Sequence, residues 1–526
     1  VTITPSAHRF SGLGLGGRSR RWIGLGLMVA LGLTAACDRT SAQVLTRRPV
    51  PPPPPVDAVS PVLWVALEDQ LGRSGPLVLS AAEGPVTLTD AEGQRWSAPS
   101  VRLSWRAVPL DEPLTVRRAV LGPYPSFESA EQVARRWREL SVDAEVAHPS
   151  DWEVWAPADS PAPAGLTPSL HGSVITSRLQ PVLEGMNAAD GGEVLPTGPL
   201  RIEAPGGLRW DGGVFRGPFR LQPDAHGTWT LVEQVPLERY LLGVVPHEIG
   251  ASAPAASQSA QAILARTWAL SNSHRFHLDG YHLCSDTQCQ VYEDPRQASP
   301  RVTRAVQATA GQVLTWRGTP IHAVYHASNG GVRAGYDEAW SGQAPPYLQP
   351  AADGDASFRE RVRLPLSSED EVRSVLEQPA GIHGQRHPRF RWTRSLQADA
   401  VGSALAAAGR PVGRPERIQV VERGPSGRAT ALVIDGSDGR TQLRLDAIRR
   451  TLRSLPSTLF VVDRVGDGRW QLSGGGFGHG VGLSQAGAMD LARRGWTPEA
   501  ILMHYYPGTQ LRSLAQMEAP EPVQGP

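Results

Sequence analysis

The sequence predicts a strand-rich α+β protein, and three observations carry that prediction. Gly and Pro are abundant, 55 and 47 of 526 residues, which favours turns and short elements over long helices. Most apolar residues come in short runs bounded by Gly, Pro or polar clusters, the pattern of strands. A few stretches, above all 256–270, instead repeat apolar residues at helical spacing.

In chain order, residues 1–36 read as an export signal. Arg18, Arg20 and Arg21 form a basic start, and 22–36 is an apolar run too short to span a bilayer comfortably. It ends in Leu33-Thr34-Ala35-Ala36-Cys37, similar to a bacterial lipobox. Cys37 is therefore the expected lipidation site, with plain signal-peptidase cleavage as the alternative. The expected location is the cell envelope, membrane-anchored through that lipid and facing the periplasm. Residues 37–60 form a spacer whose prolines at 49 and 51–55 impose extended polyproline.

Residues 61–110 read as strands at 62–67, 77–80, 86–89 and 101–105. A βαββ unit follows in 111–160. It has a strand at 115–121, an amphipathic helix over 129–140 with Ala130, Val133, Ala134, Trp137 and Leu140 on one face, and strands at 142–147 and 152–156. Ser126 or Ser129 is the expected cap. Residues 161–198 are rich in Pro and Gly and read as a linker. Strands resume at 200–204, 214–221 and 229–235 in a domain covering 199–513, and 514–526 is a tail.

Composition excludes several chemistries. All 52 basic residues are Arg, so there is no Walker lysine, Schiff-base lysine or Ser–Lys dyad. A net charge of +1 argues against a nucleic-acid partner. Three Cys do not make a disulfide framework.

The chemistry concentrates around Glu248. It sits in a turn just ahead of a helix opened by Pro254 and carrying Arg266. An apolar setting there raises a carboxyl pKa, as a general acid requires, and Arg266 is placed to orient it or hold a substrate oxygen. The bland alternative is a carboxylate favouring a helix N-terminus and a surface Arg. His274, His277, His282, Cys284 and Cys289 lie close together, open to a metal site or a Cys284–Cys289 disulfide. Ser328, Asn329 and Gly330 form a polar turn after a strand at 321–325. Asn is rare here, with only three in the chain, which favours a purpose over a plain turn. The run 474–482 precedes a helix at 484–494. Too few residues follow for a dinucleotide-binding unit, so its glycines are expected to allow close backbone approach, with His479 and Gln485 facing the site.

The strings VPLERYLLGVVPHEIG, AQAILARTWAL, CQVYED, VYHASNGG, LPSTLF and GGGFGHGVGLSQAGAMDLARRGWTPEAILMHYYPGT resemble the SpoIID/LytB family, named for stage II sporulation protein D. Residues 120–130 resemble, more weakly, a SPOR-type glycan-binding module. The SpoIID/LytB resemblance implies a peptidoglycan lytic transglycosylase acting on glycan strands, denuded ones preferred, with a few helices lining the glycan groove. It puts the catalytic acid at Glu248 and the helix arginine at Arg266. It implies that the segment holding Gln290 and Tyr292 lines the groove, and it favours glycan contacts from Ser328, Asn329 and Gly330. For His479 and Gln485, expected to face the site, and for Tyr505, able to stack on a sugar, the alternatives are a buried structural histidine and core packing. Some members hold one structural zinc through a His and two Cys, which here fall on His277, Cys284 and Cys289, with His282 as the alternative histidine. The LytB name implies a rival reading: a non-catalytic glycan binder that recruits or activates an amidase. Departures are His247 for the usual Ser, Ile249 for Met, and Ser259 for a common Lys.

Overall fold

The computed structural model describes residues 44–187 and 193–517. The expected signal at 1–36, Cys37 and the tail beyond 517 lie outside the described residues. Two large sheets build the body, one of nine strands and one of seven. A single apolar core joins them, with Leu79 and Leu103 from one sheet and Val65 and Leu231 from the other. The helix Ala255–Ser271 is sunk in this core, burying Ile263, Leu264 and Trp268. Val62–Leu71 runs antiparallel to Trp229–Pro236, so the strands of 61–110 share one core with the chain beyond 200.

The largest departure from expectation lies in the segment read as a linker. It contains the strand Ser169–Asn187, paired with one unbroken strand, Ser100–Tyr124, where two separate strands were expected. Register runs from Leu103↔Leu183 to Val120↔Ser169, with an irregularity between Pro109 and Leu114. Much of this ribbon is exposed; Leu170 is 71% and Val174 65% accessible. A strand exposed on both faces lacks the apolar alternation that marks a half-buried one, which is why the sequence pattern misses it.

The βαββ arrangement of 111–160 is present. Its helix is Phe127–Arg138, two residues earlier than the spacing suggested, with Ser126 as the cap accepting from Ser129 N–H. Trp137 is fully buried and donates its indole N–H to Pro161 O at 2.8 Å. Leu140 lies past the helix and is 47% exposed. The strand Trp152–Pro157 pairs with Ser100–Tyr124 and with Glu145–Ala147.

The span 199–513 holds more than one apolar cluster. Residues between 332 and 472 add two more, one around Leu405, Ile434 and Trp470, the other around Phe358, Val372 and Leu459. The helix Asp446–Thr451 belongs to the first of these clusters through Ile448. The strand expected at 321–325 is only Tyr325–His326, parallel to Leu483–Ser484. Among the described residues, no helix is long and apolar enough to cross a membrane.

Trp137 and Trp152 are the largest side chains in the βαββ cluster. Trp137→Ala is expected to cost about 3–5 kcal/mol there, through lost burial and a residual cavity. Urea denaturation followed by fluorescence and amide hydrogen exchange would register the loss, with exchange rising first in 127–157.

Candidate active site

Two helices and a turn position Glu248. Leu237–Val245 is followed by one wide helical turn, Pro246–Gly250, and then by Ala255–Ser271. Gly250, at φ +94°, ends the wide turn in a conformation that disfavours a side chain. Gly243 lets the loop at 292–293 press close: a Cβ there would fall 2.3 Å from Glu293 O. That loop returns a hydrogen bond, from Val291 N–H to Glu248 Oε1 at 3.1 Å. The side chains of Tyr325 and Gln485 also reach the carboxyl. Burial pushes the Glu248 pKa up; the three hydrogen bonds oppose this, and burial wins.

A relay of polar groups supports that carboxyl. Tyr240 O–H donates to Gln290 Oε1 at 3.2 Å, and Gln290 Nε2 donates to the Tyr325 hydroxyl at 3.0 Å. The backbone of Tyr325 accepts from His479 Nε2 at 2.9 Å, while His479 Nδ1 accepts from Val481 N–H at 3.1 Å. Both ring nitrogens are thereby assigned, with Nε2 carrying the proton. Burial lowers the His479 pKa to about 3, so the ring stays neutral and acts as a strut.

Glu248, Tyr325, His479, Trp268 and Trp340 line a cleft of about 560 Å³. Glu128, Arg275, Asp446, Arg449, Arg450 and Arg453 line it too. Arg275 is ion-paired with Glu128, and Arg450 with Asp151. Burial works against the charge on Glu128, but Arg275 beside it wins and holds its pKa low. Asp446 accepts from Ser126 Oγ at 2.6 Å and Ser129 Oγ at 2.8 Å; burial nevertheless raises its pKa to about 6. Glu338, the remaining carboxyl in the cleft, accepts from Gly335 N–H and from the N–H and Oγ of Ser426. Arg449 Nε is buried with no hydrogen-bond partner among the described residues.

Several expected site residues lie elsewhere. Arg266 is fully buried, and its Nε and Nη2 both donate to Glu238 at 2.7 Å, with Nη1 on Gln312 O at 3.0 Å. It braces the preceding helix and does not hydrogen-bond Glu248. Gln290 is 1% exposed and acts from beneath the cleft. Tyr292 is 3% exposed and its hydroxyl donates to Glu233 at 2.8 Å. Ser328 and Phe477 exchange backbone hydrogen bonds, and Asn329 donates to Asp353 Oδ2 at 2.6 Å. Tyr505 is fully buried and donates to the same oxygen at 2.9 Å. Gly330 and Gly476 lie back to back, both at positive φ. A Cβ on Gly330 would meet Gly475 C at 2.6 Å, and one on Gly476 would meet Ser328 O at 2.5 Å. Thus Glu248, His479 and Gln485 converge, while Arg266, Tyr292, Ser328, Asn329, Gly330 and Tyr505 are framework.

The expected zinc set does not fit. Cys284 and Cys289 are joined as a disulfide, so neither sulfur is a thiolate ligand. His282 uses both ring nitrogens, Nδ1 accepting from Trp64 N–H and Nε2 meeting Pro54 O, each at 2.9 Å. His277 is exposed. The disulfide staples the loop that delivers Val291 to Glu248.

A model described as stage II sporulation protein matches residues 225–316, the stretch holding Glu248 and its two helices. Stage II sporulation protein D of Bacillus subtilis is 28% identical over 303 residues, 53% of this chain and 75% of that protein. The amidase enhancer of the same organism is 27% identical over 299 residues, 52% of this chain and 40% of that protein. The chain carries a SpoIID/LytB-family domain. A second model, a domain of unknown function, matches residues 334–482. Within that match lie Arg449, Arg450 and Arg453, so the SpoIID-type cleft is walled partly by it. Sequence reasoning missed these arginines and Tyr325. Their spacing, i, i+1 and i+4, was the only local signal, and nothing in it said which cavity they face.

Arg266→Met is expected to cost roughly 1–3 kcal/mol by leaving Gln312 O and the Glu238 carboxylate without their donor. A lowered urea midpoint would record it. The Glu248 titration, followed by carbon-13 NMR, should stay in place; a large displacement would restore Arg266 as its partner.

Proposed function

We propose that this protein is an envelope lytic transglycosylase, cleaving between N-acetylmuramic acid and N-acetylglucosamine in glycan strands and leaving 1,6-anhydro ends. One observation carries the reading: of the four carboxyls lining the cleft, Glu248 alone lies in the stretch matched by the sporulation-protein model, and it is held by neutral donors with a raised pKa. Glu128, Asp446 and Glu338 are committed to an arginine, two serines and a loop cap. A hydrolase calls on a second carboxylate to attack or to activate water. Transglycosylation needs one group used twice. Protonated Glu248 donates to the bridging oxygen as its bond to the anomeric carbon breaks. The 6-hydroxyl of the same sugar then bonds to that carbon and releases its proton to the Glu248 carboxylate. No water is consumed, and the tethered hydroxyl has the orientational advantage of an intramolecular nucleophile.

Tyr325 and Gln485 hold the carboxyl through both transfers, and neutral His479 fixes the Tyr325 backbone. Arg449 and Arg453 offer cations to the lactyl carboxylates that glycan strands expose once stem peptides are gone. The family domain supports a cell-wall role, and the likeness to an amidase enhancer favours a second reading, glycan binding that assists an amidase.

Purified protein incubated with denuded and intact strands, with products read by mass spectrometry, separates the two. Glu248→Gln is expected to lower anhydro-end formation by about 10²–10⁴-fold while strand binding persists. No anhydro ends from wild type, or equal yield from Glu248→Gln, would sink the enzymatic reading and leave the amidase-assisting one.

The acid form of Glu248 is lost as pH rises through its raised pKa, so activity should fall on a basic limb above the ordinary glutamate range. The Tyr325 hydrogen bond lowers that pKa. Tyr325→Phe is therefore expected to move the limb to higher pH; an unmoved limb means another group titrates.

A further inference from the structure

We propose that Asp353, His383 and His504 form a divalent transition-metal site that clamps the polar turn at 328–331 to the C-terminal helix. One ligand atom from each residue lies within 4.8 Å of the others. They come from three separate segments: Asp353 just after the strand Ala351–Ala352, His383 beside Gly384, and His504 in the helix Pro498–Tyr505. The cluster is enclosed, with Asp353 2% and His383 6% exposed.

Three features point to a cation. First, Asp353 Oδ2 is held by Asn329 Nδ2 and by the Tyr505 hydroxyl, which turns Oδ1 toward His504 Nε2 at 2.9 Å. Ligands about 2.1 Å from one tetrahedral ion stand about 3.4 Å apart, so this hydrogen-bonded pair needs to open by only about half an ångström to hold a metal. Outer hydrogen bonds on a ligating carboxylate are what fix it in metal sites. Second, His383 Nδ1 is buried without a hydrogen-bond partner, and its nearest carboxylate, Asp490 Oδ2, is 3.9 Å away. Third, Asp353 has no arginine ion pair: Arg333 directs its donors to Gln349 O and His504 O, and the charged partner within reach of the carboxylate is His504 itself. With the imidazole neutral, as a ligand must be, the buried carboxylate needs another charge, which a divalent ion supplies. Two imidazoles and one carboxylate suit zinc and its neighbours better than magnesium or calcium, which prefer oxygen. Three protein ligands leave one position for water or Asp490.

The test uses the whole chain, stripped by a chelator and then given zinc or cobalt(II). One equivalent per chain is expected by elemental analysis, with a melting temperature that rises with zinc concentration. Cobalt should give visible ligand-field bands without a thiolate charge-transfer band. Cys284→Ser/Cys289→Ser should keep the metal, and Asn329→Ala should weaken it by about 10–100-fold. His383→Cys tests the ring as a ligand even if a truncation fails to fold: cobalt bound there should gain the thiolate band. Wild type that takes up no zinc or cobalt, metal lost with the cysteines, or cobalt bound to His383→Cys without that band would each overturn the site. None of these outcomes bears on anhydro-end formation, which tests Glu248 separately.

Discussion

The hydrogen bond from Val291 N–H to Glu248 Oε1 is the contact on which the cleft depends. It joins a wide turn between two helices to a loop far along the chain, and it aims the carboxyl. Everything around it keeps those backbones apart by one fixed amount. Gly243 lets the loop approach, the disulfide closes it, Tyr292 anchors it on Glu233, and Gln290 ties it to Tyr240. The carboxyl that results is half-buried and faces neutral donors. Its environment raises its pKa without committing it to a cation, a combination that suits an acid that must later act as a base.

The second wall of the cleft has a different origin. Ser126 and Ser129, from the βαββ unit, donate to Asp446 on the helix that carries Arg449 and Arg450. Glu128 meets Arg275, from the segment after the buried helix. Three regions of sequence therefore meet at one cavity, and the cationic side is set by the region that matches a domain of unknown function. Glu248 lies in the stretch matched by the family model, whereas the arginines on the other side lie in the stretch matched by the domain of unknown function.

Local patterns made part of this legible. Helical spacing marked the buried helix after Glu248, and the turn ahead of it was visible from Pro254 and the break in apolar period. Arg266 was misplaced because a helical position says which residues share a face but not what packs on that face. Its partner, Glu238, sits on the preceding helix. Asn329 was read toward substrate because it sits in a polar turn, Tyr505 because an aromatic ring can stack on a sugar. Their common target, Asp353, is far from each in sequence and lies in no motif. The middle of Ser100–Tyr124 and the strand Ser169–Asn187 went unread for another reason: where little of a strand is buried, its register is held by backbone pairing that leaves no apolar signature.

The back-to-back contact of Gly330 and Gly476 has a consequence for how variants of this chain will be interpreted. Each glycine fills the space that a methyl on the other side would need, and both stand at positive φ. A replacement at one position ordinarily has an escape, a smaller residue at its neighbour. Here the neighbour is already the smallest residue there is, so no second-site change across the contact can restore the fit. Any substitution at either glycine will therefore look like a lesion in a functional turn while its origin is the backbone itself. Pairs of changes there should never rescue each other.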